Sequence, residues 1–179
     1  MTSKTWLLCG EDELVKNWIV ERVDGLHRLN SCTAIAVMSG KRIIAGVAYY
    51  NHQPEARWIQ INMAAISPMW AKKSVIKRLL QYPFEQLNCY KIMLDVNVNN
   101  TKALKTFKSI GFEQEAVLSH VHGVNQHCAV LHMLKSYYVQ EYGVKPYDEV
   151  LVQIARKPEI QQEIISNHSH GVGQTLVVN

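Results

Sequence analysis

Between Glu11 and Val23 the apolar residues Leu14, Val15, Trp18, Ile19 and Val23 return at the period of one helix face, and Asp24-Gly25 ends the run. Thr33–Met38 and Arg42–Tyr50 are dense in β-branched and aromatic residues and are separated by Ser39-Gly40-Lys41, the pattern of a β-hairpin. Arg57–Ile66 reads as the next strand, closed by Ser67-Pro68, and a short strand at Trp6–Cys9 precedes the first helix. Val75, Ile76, Leu79 and Leu80 predict a helix over 70–81, which Pro83 interrupts before a last turn at Phe84–Leu87. A strand follows over Tyr90–Val96, with Ile92, Leu94 and Val96 on one side. Asn99-Asn100-Thr101 then caps a short helix whose buried stripe is Ala103, Leu104, Phe107 and Ile110, with Gly111 placed to end it. Two more strands, Phe112–Val121 and His127–Leu134, surround Gly123-Val124-Asn125-Gln126.

Helices interleaved with strands in this order predict an α/β fold with a mixed, mainly antiparallel twisted sheet flanked by helices. Its 179 residues suffice for one domain. Residues 1–138 are expected to form it. Residues 139–179 form a C-terminal extension of unknown role, whose one helical signal is Pro158–Ser166.

Composition removes several classes. A chain 47% hydrophobic and 19% charged can bury a core, which excludes a disordered tail. No apolar run approaches a membrane span, and the apolar stretch at Trp6–Cys9 is too short for a signal peptide. A soluble, cytoplasmic protein without a membrane partner is therefore expected. Cys9, Cys32, Cys89 and Cys128 lie far apart, as buried thiols do.

Charge adds a second signal. Lys72, Lys73, Lys77, Arg78, Lys91, Lys102, Lys105 and Lys108 face only Glu85 and Asp95 over residues 70–108. Such an excess fits an anionic partner, either a phosphorylated cofactor or nucleic acid, or else a solvated helix face.

The most informative stretch is Asn100-Thr-Lys-Ala103, followed by Gly111-Phe112: a strand, an Asn-x-x-Ala helix mouth, and a Gly-Phe that opens the next strand. By itself it is an N-capped helix. In this order, however, it resembles the C-terminal half of the GNAT superfamily of acyl-CoA N-acyltransferases, over about residues 11–135. Pro68-Met-Trp70 and Tyr82-Pro-Phe84 are similar to segments of phage-encoded members.

The resemblance implies acetyl-CoA as acyl donor and a primary amine as acceptor, nucleic-acid amines included. It leaves a homodimer open. It places the thioester carbonyl against the backbone N–H groups of Ala64, Ala65 and Ile66, and the pantetheine along Asn100, Ala103 and Phe107. Its phosphate loop aligns with Ala71, Lys72, Lys73, Ser74 and Val75. Here Ala71, Ser74 and Ile76 replace the family's pattern, and the two lysines supply charge in place of glycine-exposed amides.

Two catalytic positions depart from the family. The usual acid tyrosine is Phe107 and the usual base glutamate is Gln60, neither of which titrates. The rival implied by these losses is a catalytically degenerate GNAT-fold protein that binds CoA, nucleic acid or a host protein. His120, His122, His127 and His132 cluster on the final hairpin, and His122 is the candidate base among them. Even with Cys128 nearby, their spacing follows no metal-ligand motif, so no metal is expected. Asp95, set in an apolar strand, is expected to be a hydrogen-bonded structural carboxylate.

Overall fold

The computed structural model describes residues 4–23, 25–26, 28–121, 123–143, 151–154 and 176–177, the last two segments through their backbone pairing. In chain order the elements are β1 (Thr5–Cys9), α1 (Asp12–Val20), β2 (Thr33–Ser39), β3 (Arg42–Gln53) and β4 (Trp58–Ala65), then α2 (Lys73–Gln81) and β5 (Lys91–Asn97). They continue as α3 (Thr101–Ser109), β6 (Glu113–Leu118), β7 (Cys128–Leu134), α4 (Lys135–Tyr142), β8 (Leu151–Ile154) and β9 (Leu176–Val177).

The strands form one sheet in the order β6-β7-β5-β4-β3-β2-β1-β8. Pairing is antiparallel except at β4–β5 and β1–β8, and β9 joins β4 antiparallel at Ala64–Ala65. The mixed, mainly antiparallel sheet expected from the sequence is thus present.

Strand alternation sorts the core onto two faces. Ile35, Val37, Val47, Ile59, Met63, Leu94 and Leu131 pack with α2, α3 and α4. Ala34, Ala36, Met38, Ala48 and Ala64 pack under Val15, Trp18 and Ile19 of α1. Gly46 lets α1 settle closely, because a Cβ there would stand 3.0 Å from Ile19 Cγ1.

Three local readings change. The helix expected over 70–81 starts at Lys73, since Pro68–Ala71 forms a 3-10 turn capped by Ser67 and Lys72 is extended at φ −64°, ψ 136°. The strand expected to reach Val121 stops at Leu118, and His120 sits in the following turn at φ 60°. His122, the candidate base, lies outside the described residues. Finally, α4 went unread in the sequence. It crosses the expected boundary at 138/139 and buries Tyr138 and Tyr142, with the Tyr142 hydroxyl donating to Ile110 O at 2.9 Å. The helix expected at Pro158–Ser166 lies outside the described residues. Among the described residues no helix is long and apolar enough to cross a membrane.

Candidate functional site

β4 and β5 pair only where Trp58, Ile59 and Gln60 face Lys91, Ile92 and Met93. Beyond Gln60 the two strands diverge: β5 continues with β7 as far as Asn97, while β4 continues with β3 as far as Ala65. Ile66 N–H donates to Ile44 O on β3 at 2.9 Å. Because successive residues of a strand turn their backbone groups to opposite sides, Ala65 directs its N–H into the gap, while Ala64 and Ile66 direct theirs to β3. Of the three amides expected to face a thioester, the geometry leaves that of Ala65.

At the mouth of the gap lies a cleft of about 380 Å³. Ala65, Ile66, Ser67, Pro68, Trp70 and Ala71 form one wall, and Lys102, Thr106 and Ser109 of α3 form the other. The first turn of α2 carries no acidic side chain and no side-chain cap. Its opening N–H groups lack partners within the helix, which favours an anion there. Lys72 and Lys73 are exposed beside them and Ser74 is half-buried, whereas Val75 and Ile76 are buried. Lys73 also reaches Glu141 at 3.4 Å and lies 5.3 Å from the centre of the Tyr142 ring.

The residues expected to line the pantetheine have another task. Asn100 caps α3, accepting the Ala103 N–H on its side-chain oxygen at 3.1 Å. Ala103 and Phe107 are buried in the core. Phe112 N–H donates to Phe107 O at 3.0 Å and Gly111 N–H to Lys108 O at 3.2 Å, the paired bonds of a Schellman turn. Phe107 packs edge-on against Phe112 and is only 1% exposed, so its ring belongs to the turn and not to the cleft. Gln60 accepts a hydrogen bond from Asn51 at 2.7 Å.

On the α1 side of the sheet, cross-strand register gathers Tyr50, Gln60, Asn62, Met93, Asp95 and His132 onto one face. Asn62 is 3% exposed and its side-chain oxygen has no hydrogen-bond partner. Burial first, and then the nearby Asp95 carboxylate, pushes the Tyr50 phenol up to about 12 and the Cys128 thiol up to about 11. His132 Nδ1 stands 3.5 Å from a Glu115 carboxylate oxygen. His120 meets the His127 ring at 5.0 Å and accepts the Asn125 N–H at 2.9 Å. Among the described residues, no three His, Cys, Asp or Glu side chains gather where they could hold a metal ion.

Residues 2–112 match the model of the acetyltransferase (GNAT) family, which embraces β1 to α3 and therefore both walls of the cleft. The chain belongs to this family. No curated protein matches it. Among solved structures, this GNAT chain is similar to a point variant of the spermidine N-acetyltransferase SpeG from Vibrio cholerae. Identity there is 27%, over 62% of this chain and 69% of that one, with a TM-score of 0.52. A mutant form of the spermidine/spermine N-acetyltransferase SpeG from the same organism gives 25%, 62%, 71% and 0.54. A SpeG chimera with hSSAT, at 21% identity, shares the fold over 77% of this chain and 99% of that one, with a TM-score of 0.61.

Lys102, Thr106 and Ser109 escaped the sequence reading as a wall of this GNAT cleft, although their spacing of four and then three puts them on one helix face. Trp70 also stands in the wall, and Asn62 stands on the α1 side with its side-chain oxygen unpartnered. For Asn62 the available signal was a polar residue inside the apolar run Ile59–Ile66.

Proposed function

We propose that this chain is an N-acetyltransferase that moves the acetyl group of acetyl-CoA to a primary amine. The observation that carries the proposal is the divergence of β4 from β5, with the N–H of Ala65 turned into the gap. The edge of β4 that β5 leaves at Ala65 suits the amides of a pantetheine arm. The start of α2, with exposed Lys72 following Ala71 of one cleft wall and Lys102 in the other wall, suits the phosphates. Acetyl-CoA supplies the activated acetyl thioester.

In the reaction the amine nitrogen bonds to the acetyl carbon, the carbon–sulfur bond breaks, and CoA leaves as its thiolate. Ala65 N–H is the backbone donor for the carbonyl oxygen as it gains negative charge. Gln60 and Phe107 carry no titratable proton, so the amine enters as its free base and loses its proton to water. Alignment of the two reactants then supplies the main acceleration. The acceptor comes from the α1 side, where Asp95 offers negative charge to a second, cationic amino group of the acceptor while the reacting amine is neutral. Spermidine, for which the similar acetyltransferases of known structure are named, is the first acceptor to test.

The experiment is thiol release from acetyl-CoA in the presence of spermidine, short diamines and aminated nucleotides, with mass analysis of the product. A singly acetylated amine is expected. Tight CoA binding without thiol release for any amine would instead make the chain a catalytically degenerate GNAT-fold binder.

A further inference from the structure

The gap between β4 and β5 already receives a strand of this chain. β9, Leu176–Val177, pairs antiparallel with Ala64 and Ala65 of β4, past the point where β5 has turned away, and it also lies against α3. Register places Leu176 opposite Ala65, the residue whose backbone groups face the gap. The hydrogen-bonding edge that would take an acyl-CoA arm is therefore the edge that β9 uses, and one edge takes one occupant.

The surrounding sequence suits the position. Thr175-Leu176-Val177-Val178 is a run of strand-forming residues without charge or proline. β8, Leu151–Ile154, pairs parallel with Trp6–Cys9 of β1 and so anchors the chain at that point to the outer edge of the sheet. Such tethering raises the effective concentration of the terminal strand at β4 without adding contacts. A pairing of two residues is weak enough for a ligand of the same edge to displace it.

We infer that the C-terminal strand Leu176–Val177 is a built-in competitor that closes the β4 edge by strand addition and yields when acyl-CoA binds. Its regulatory part rests on the acyltransferase reading. The docking of the strand does not.

Leu176→Pro in the full chain tests both, because proline removes the backbone N–H opposite Ala65. Amide exchange at Ala65 and the affinity for CoA are measured in the parent chain and the variant, with thermal melting as a check that the fold is retained. The expected result is protection of the Ala65 amide in the parent, at least tenfold faster exchange in the variant, and a several-fold lower Kd for CoA. A peptide of residues 174–179 added to the variant should restore protection and weaken CoA binding. Unchanged Ala65 exchange in a folded variant would overturn the inference. Faster exchange without any CoA binding by either protein would leave the docked strand standing and overturn the acyltransferase reading. Faster exchange with the same CoA affinity in both proteins would overturn the competition.

Discussion

The rings of Phe107 and Phe112 meet edge-on, with centroids 5.4 Å apart, across the turn that ends α3. This contact joins the last turn of the helix to the residue beyond its glycine, the apolar closure that accompanies a Schellman turn. Phe107, which the family resemblance aligns with the usual acid, is therefore a structural ring of this turn. Phe107→Ala should lower stability by about 3–5 kcal/mol through the cavity it leaves. Phe107→Tyr would bury a hydroxyl among apolar atoms, at a cost of about 1–3 kcal/mol. Denaturant unfolding and turnover should be measured on both. Faster turnover by the tyrosine variant at unchanged stability would show that the ring reaches the departing thiolate.

Gly111 holds φ +104°, and a Cβ there would lie 1.9 Å from Tyr137 Cε1. Two penalties combine in Gly111→Ala: backbone strain of about 1–3 kcal/mol and displacement of the Tyr137 ring. Adding Tyr137→Ala should remove the second penalty and leave the first. Melting curves of the two single variants and the double variant measure the split. A Gly111→Ala chain as stable as its parent would refute it.

Much of this fold was legible because its signals are local. Hydrophobic period gave β2, β3, β4 and the body of α2, while Asn100 and Gly111 marked both ends of α3. α4 was invisible for the same reason. Tyr138 and Tyr142 bury phenol rings whose hydroxyls reach Glu85 and the carbonyl of Ile110, partners that only tertiary folding supplies. The site divides in the same way. The three amides of Ala64, Ala65 and Ile66 could be named from the sequence, yet the number of them that face the gap depends on the alternation of β4 against β3. Pairing between β9 and β4 joins positions more than a hundred residues apart, and no local pattern announces it.

Cys128 is fully buried beside Asp95, and its thiol is pushed up to about 11 by burial first and by the carboxylate second. A thiol whose folded value exceeds its unfolded one contributes stability that is fully present below the unfolded value. That contribution is lost as pH rises through about 11, because the unfolded chain gives up the proton first. Stability should therefore decline between about pH 9 and 11, and less steeply in Cys128→Ala. Native Cys128 should also resist alkylation at neutral pH. Equal alkaline slopes for parent and variant would assign the decline to other groups.

The basic surface divides once its side chains are placed. Lys77 is buried, Lys91 pairs with Glu115 at 2.6 Å, and Lys73 pairs with Glu141 at 3.4 Å. Lys72 and Lys102 flank the cleft region, while Lys105 and Lys108 are exposed farther along α3. Lys72→Gln with Lys102→Gln should weaken CoA binding and flatten its salt dependence, whereas Lys105→Gln with Lys108→Gln should leave it unchanged. The same four exposed lysines bound what duplex DNA could gain. At about 0.9 per neutralised phosphate, the slope of log K against log salt should be no steeper than about −3.6, with binding lost at moderate salt. Titration of labelled duplex and tRNA at two salt concentrations measures that slope. A steeper dependence, abolished when Lys102, Lys105 and Lys108 all become Gln, would move the acceptor from a small amine to one carried on nucleic acid.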